Sequence, residues 1–143
     1  MIRILVVGSR SLTNIEYLSV SLDKFISDRG YKNEDVEIVS GGASGTDALA
    51  KRYAENNGLK YTEFPAEWDK SGRKAGYIRN RQMHEYIAQV PYRACIAFWD
   101  GESKGTQHSF SLAKEFDNEL VVDKFRDLRN GRILWDTDES ITI

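Results

Sequence analysis

Cysteine occurs once in the 143 residues and histidine twice. A single cysteine excludes an intrachain disulfide. Cys95 lies in the apolar run 94–98, where a lone cysteine reads as a small buried hydrophobe. A reducing cytoplasm is the expected compartment. There is no Cys/His cluster at zinc spacing, and neither His84 nor His108 sits in a ligand motif, so no metal and no required cofactor are expected. No apolar stretch approaches the roughly 18 residues that cross a membrane. The opening residues 1–8 form too short an apolar run for a secretory leader and lack a small-residue cleavage site. They read as a first strand. Neither sign of charge dominates, since the formal net charge is −2. General nucleic-acid binders carry a basic excess, which weighs against nucleic acid as the partner. A Walker A loop, a G-x-G-x-x-G loop and a G-x-S-x-G elbow are all missing.

What is present is the composition of one ordinary globular domain, with 41% hydrophobic and 29% charged residues. Residues 1–143 are read as a single domain, long enough to bury a full core without a disulfide or metal staple. Ile4-Leu5-Val6-Val7 is a continuous aliphatic run closed by Gly8, as in a strand buried on both faces. Ile15, Leu18, Leu22, Phe25 and Ile26 then recur at helical spacing, with Asn14 or Thr13 as cap and Gly30 as stop. Strands are expected at 36–39, 61–64, 93–99 and 119–122. Helices are expected from Ala48, over 77–89 and over 106–116. The polar stretch 66–75 reads as a long loop. Residues 123–143 form a tail of unclear structure in which 132–135 add an edge strand or hairpin. Strands and helices alternate, which predicts an α/β fold: a Rossmann-like parallel sheet of about five strands with helices on both faces. In such sheets ligands sit outside the carboxyl ends of the strands.

Three strand-end loops carry the candidate chemistry. In Gly8-Ser9-Arg10, glycine admits a ligand to the backbone, serine offers a hydroxyl and arginine grips a phosphate or carboxylate. A plain turn with a surface arginine explains the tripeptide equally well. Ser40-Gly41-Gly42-Ala43-Ser44-Gly45-Thr46-Asp47 runs from a strand into a helix, a setting for anion binding by backbone N–H groups. A helix cap needs fewer glycines than this loop holds, which favours ligand binding. Trp99-Asp100-Gly101-Glu102-Ser103-Lys104-Gly105-Thr106 repeats the strand-to-helix arrangement. Outside the loops, Arg79 is placed to reach a phosphate and Asn80 to read a base or ribose edge. Trp68, an aromatic in a polar stretch, is placed to stack on a base or to pin its loop. Arg81 and His108 are better read as solvated. Among carboxylates near the loops, Asp47, Asp100 and Glu102 are the candidate acids, bases or nucleophiles. Nothing in their spacing pairs any two of them.

Taken in order, Gly8-Ser9-Arg10, the 40–47 loop, Phe64-Pro65-Ala66-Glu67-Trp68, Ala75-Gly76 with Arg79-Asn80-Arg81-Gln82-Met83, and Ala97-Phe98-Trp99-Asp100-Gly101 with Ser103-Lys104-Gly105-Thr106 resemble one family. It is the YspA-like branch of the SLOG superfamily, named for the Smf/DprA DNA-processing proteins and the "lonely guy" phosphoribohydrolases. The resemblance spans roughly residues 1–122. It implies a nucleotide-type ligand at the loops above. Branches of the superfamily hydrolyse nucleoside monophosphates, sense nucleotide signals such as ADP-ribose-type molecules in bacterial and phage conflict, or bind single-stranded DNA. Relatives often pair, so a homo-oligomer is compatible. The phosphoribohydrolases resemble P-G-G-x-G-T-x-x-E at the third loop, where the glutamate is catalytic. The matching stretch here runs Glu102 to Ser109, with Ser109 at the glutamate position. The resulting expectation is a protein that senses, carries or sequesters a nucleotide-derived small molecule. The alternatives are a hydrolase of an N-glycosidic or phosphate bond, and a single-stranded DNA binder.

Overall fold

The computed structural model describes residues 1–127 and 133–142, with side chains described as far as Phe125 apart from Arg73. Strands β1 (Ile2–Gly8), β2 (Val36–Ser40), β3 (Lys60–Glu63), β4 (Arg93–Trp99) and β5 (Glu119–Asp127) pair in parallel in the order β3-β2-β1-β4-β5. A sixth strand, β6 (Ile133–Thr142), adds antiparallel to β5 at the edge. This is the expected Rossmann-like α/β sheet extended by one strand. The edge strand expected around 132–135 is the start of β6. Arg132 lies outside the described residues.

The sheet carries two separate apolar layers because β1 alternates. Ile2, Ile4 and Val6 pack on one face with α1 (Ile15–Asp28) and α2 (Thr46–Asn56). Leu5 and Val7 pack on the other with α4 (Ala75–Ile87) and α5 (Lys104–Glu115). Side chains two residues apart share a face, so a single aliphatic run supplies both cores. Cys95 is fully buried in the second layer, and burial pushes its thiol far up, so it packs as a hydrophobe. Asn14 caps α1, its side-chain oxygen accepting the N–H groups of Glu16 and Tyr17 at 3.0 and 3.2 Å.

Several boundaries differ from the sequence expectation. The stretch 66–75, expected to be loop, holds a short helix α3 (Trp68–Ser71) and a 3₁₀ turn (Gly72–Lys74) that lead directly into α4. No apolar periodicity marks α3. It is one turn closed by the Glu67 carbonyl, which accepts the N–H groups of Lys70 and Ser71. Helix α4 starts two residues before the expected Tyr77 and ends at Ile87 instead of Gln89. Helix α5 starts at Lys104 instead of Thr106, because Ser103 takes the cap and accepts the Thr106 N–H. Strand β5 runs on past the expected Val122, since β6 pairs with its second half. No helix among the described residues is long and apolar enough to cross a membrane.

Candidate functional site

The carboxyl ends of β1, β2 and β4 bring the three loops together, and buried serine and threonine hydroxyls lock them. The Ser9 carbonyl accepts Thr46 Oγ1 at 2.8 Å and the Thr46 N–H at 3.3 Å. Ser9 Oγ accepts the Asp100 N–H at 3.0 Å. One residue of the first loop therefore ties the second and third. Ser40 is buried as well, with Oγ 3.3 Å from the Asp47 carbonyl and 2.6 Å from Tyr61 Oη. Gly8 and Gly45 permit the close approach. A Cβ on Gly8 would fall 2.5 Å from Thr46 Oγ1 and 2.6 Å from the Phe98 carbonyl. Gly45 has φ +76°, and a Cβ there would strike the backbone of Arg10.

Beneath this junction lies a cavity of about 400 Å³. Val7, Met83 and Ser109 line it together with Arg10, Asp47, Trp68, Tyr77, Arg79, Asn80 and Thr106. A second cavity of about 310 Å³ adjoins it, lined by Gly41, Gly42, Ala43, Ser44, Pro65 and Ala66. Arg10, Ala43, Trp68 and Arg79 border both. The two form one two-lobed site with its arginines at the junction.

Each expected residue now has a place. Gly8, Arg10, Ala43, Asp47, Trp68, Arg79, Asn80, Ser103, Gly105 and Thr106 line the larger lobe, and Gly41, Gly42 and Ser44 line the smaller. Ser9, Ser40, Gly45 and Thr46 line neither and act as the lock between loops. Trp99, Asp100, Gly101, Glu102 and Lys104 also line neither. The Trp99 indole N–H donates to the Ser103 carbonyl at 3.1 Å, and its ring packs edge-on against Phe110. Asp100 Oδ1 accepts the N–H groups of Glu102 and Ser103, both at 2.8 Å, and Oδ2 accepts the Ser11 hydroxyl. Burial raises the Asp100 pKa, but these hydrogen bonds outweigh it and leave the carboxyl below its ordinary value. That carboxylate is a loop fastener. Glu102 is exposed beside it.

Asp47 differs from both. It is 8% exposed and lines the larger lobe. Its Oδ2 accepts the Ala43 N–H at 3.1 Å, and the Gly41 N–H also bonds it. The anion held by the glycine loop is therefore the loop's own aspartate. Arg79 Nη1 donates to the Gly41 carbonyl at 2.6 Å and Nε donates to Asn80 Oδ1 at 3.2 Å. Asn80 Nδ2 in turn faces the Gly105 carbonyl at 3.4 Å and His108 Nδ1 at 3.3 Å. Burial lowers the Arg79 pKa, Asp47 opposes that shift and the like charge of Arg10 adds to it.

Burial pushes the Asp47 carboxyl up from 3.8 to about 6, against the pull of the Ala43 and Gly41 N–H groups and of Arg79 and Arg10. The folded protein thus holds this proton more tightly than the unfolded chain does. The associated stability is complete below about pH 4 and is lost as pH rises through about 6. The stability of Asp47→Asn relative to wild type is expected to rise across that window, by up to about 3 kcal/mol. Urea unfolding of both proteins at a series of pH values measures it. A constant difference between them would mean that Asp47 does not titrate there.

Sequence reasoning passed over Val7, Gly76, Tyr77, Met83 and Ser109 as lining residues. A signal for some of them existed. Gly76, Asn80 and Met83 recur at spacings of four and three on α4, and Gly105 and Ser109 lie four apart on α5. Each set is one helical stripe facing the cavity.

The chain is 37% identical over 83 residues to the Gene 61 protein of Mycobacterium phage D29, a match covering 54% of this chain. The matched part spans 63% of that relative's length. Among solved structures, a predicted subunit of tRNA methyltransferase from Methanocaldococcus jannaschii aligns over 84% of this chain and 66% of its own, at 14% identity and a TM-score of 0.37. Residues 2–70 match the family model of the YspA, cpYpsA-related SLOG family. That segment supplies Arg10, Asp47 and Trp68 to the site, so these three residues lie in the part of the chain that resembles the family.

Proposed function

We propose that this protein binds a nucleotide or nucleotide-derived small molecule in the two-lobed site, as a cytoplasmic sensor, carrier or sequestering protein. The observation that carries the reading is the division of the site. Arg10 and Arg79 stand at the junction of the lobes, where a phosphate is neutralised. Trp68 and Tyr77, each 51% exposed, line the larger lobe and supply aromatic surface for a base, the Tyr77 ring standing edge-to-face with His108. Asn80, Thr106 and Ser109 supply uncharged hydrogen-bonding groups between them. A concave site with a few convergent polar groups is the usual form of a small-molecule site.

Binding without turnover is favoured over hydrolysis. Of the three candidate carboxylates, Asp47 alone lines the site, and its Oδ2 is engaged by the loop. Hydrolysis of a glycosidic bond ordinarily uses a pair of carboxyl groups. A thermal-shift panel of nucleoside monophosphates, NAD and ADP-ribose, with each mixture then assayed for products, tests the reading. At a ligand concentration of roughly 100 Kd, binding adds ~2.7 kcal/mol to stability. A raised melting temperature with intact ligand is the expected result. A released base or phosphate would make the protein a hydrolase, and no shift with any compound would remove the small-molecule reading.

A further inference from the structure

Ser109 carries an inference that deepens the proposed function and rests on it. Its side chain is fully buried, and its Oγ makes no hydrogen bond. Buried hydroxyls are nearly always satisfied, because an unpaired one costs about 1–3 kcal/mol. His84 Nε2 is also buried without a partner, but His84 does not line the cavity, whereas Ser109 does. An unsatisfied hydroxyl on the wall of a binding cavity is a group whose partner arrives with the ligand.

The surroundings of Ser109 define that partner. Helix α5 places Thr106 and Gly105 on the same stripe, and α4 sets Met83 and Asn80 across from it. All of these are uncharged, and the one carboxyl on the larger lobe, Asp47, is held by the Ala43 and Gly41 N–H groups of its own loop. Both arginines stand where the two lobes meet, and the rings of Trp68 and Tyr77 are half exposed. An anionic group belongs at the arginines, and a flat ring belongs on Trp68 and Tyr77. What remains for the interior is a neutral, hydroxyl-bearing group that both donates and accepts. We infer that Ser109 is a specificity-determining residue whose hydroxyl reads a sugar hydroxyl of the bound ligand in the interior of the larger lobe.

The test uses AMP, 2′-deoxy-AMP and 3′-deoxy-AMP as probes, titrated by calorimetry into wild type and Ser109→Ala. Wild type is expected to bind AMP about tenfold more tightly than at least one deoxy form. Ser109→Ala is expected to lose that preference by weakening AMP alone. Its unliganded melting temperature should equal or exceed that of wild type, because the variant removes an unpaired buried hydroxyl. A destabilised variant would show that the hydroxyl has a structural partner, which overturns the inference. So would an unchanged ribose preference in Ser109→Ala, or equal wild-type affinity for all three probes. In those cases the nucleotide-binding reading survives. Failure of wild type to bind any of the three, or any compound of the panel above, sinks that reading and this inference together.

Discussion

Arg79→Ala is expected to weaken binding of AMP by ten- to a hundredfold and binding of adenosine by far less. Arg79 borders both lobes, and the structure presents its guanidinium beside the glycine loop. Nη1 is committed to the Gly41 carbonyl and Nε to Asn80, which fixes the orientation of the fork. A pre-oriented fork is the form in which arginine recognises phosphate. Hydrogen bonds to charged groups contribute about 1.5–3 kcal/mol, which is the stated range of affinity. The alanine variant also leaves the Gly41 carbonyl without its donor and removes one of the two cations acting on Asp47, so loop disorder is the competing cause of any loss. Two measurements separate the causes. Loop disorder weakens AMP and adenosine together, whereas loss of a phosphate contact weakens AMP selectively. Arg79→Lys keeps the charge but not the fork, so it should recover part of the AMP affinity. Equal losses for both ligands would assign Arg79 to holding the loop and leave the phosphate to Arg10.

The largest effect on stability is expected from Gly45→Ala, at about 3 kcal/mol or more. Gly45 combines two demands. Its φ of +76° and ψ of −127° lie in a region that residues with a Cβ rarely adopt, which costs roughly 1–3 kcal/mol. A Cβ would also fall 2.5 Å from Arg10 Cα, and backbone cannot swing aside as a side-chain tip can. Forced overpacking of this kind adds roughly 1–3 kcal/mol. Gly58 is a positive-φ glycine without the second demand. Its φ is +64°, and nothing lies within 4 Å of a Cβ placed there. Gly58→Ala is therefore expected to cost only about 1 kcal/mol. Denaturant unfolding should show a lower midpoint for Gly45→Ala with an unchanged slope. Similar losses for the two variants would mean that the approach of Arg10 to Gly45 relaxes at little cost.

The contrast between these glycines shows how far sequence reading reached. The cluster of glycines at 41, 42 and 45 marks a special loop, and its position after an aliphatic run places it at a strand end. The same residues do not reveal that Gly45 faces the Arg10 backbone while Gly42 faces the Glu63 side chain. Asp100 and Asp47 show the same limit. Each accepts two N–H bonds from its own glycine-containing loop, yet only Asp47 lines the cavity. The difference lies in which neighbouring loop stands behind each of them, and chain order carries no record of that.

Local pattern by itself determined the order of elements, the parallel sheet and the strand ends at which the three loops meet. These follow from periodicity and from short right-handed connections, which act over a few residues at a time. It also determined the three loops as the chemical part of the chain, because glycine, arginine and hydroxyl residues concentrate there. The tertiary structure decided which of those residues lock the loops and which line the cavity. It added Tyr77 and Ser109, whose direction depends on the rotation of α4 and α5 against the sheet. A helix turns about 100° per residue, so a shift of one position carries a side chain from the cavity wall into the core or the solvent. That rotation is set by packing against Leu5, Val7, Cys95 and Ala97, residues far away along the chain.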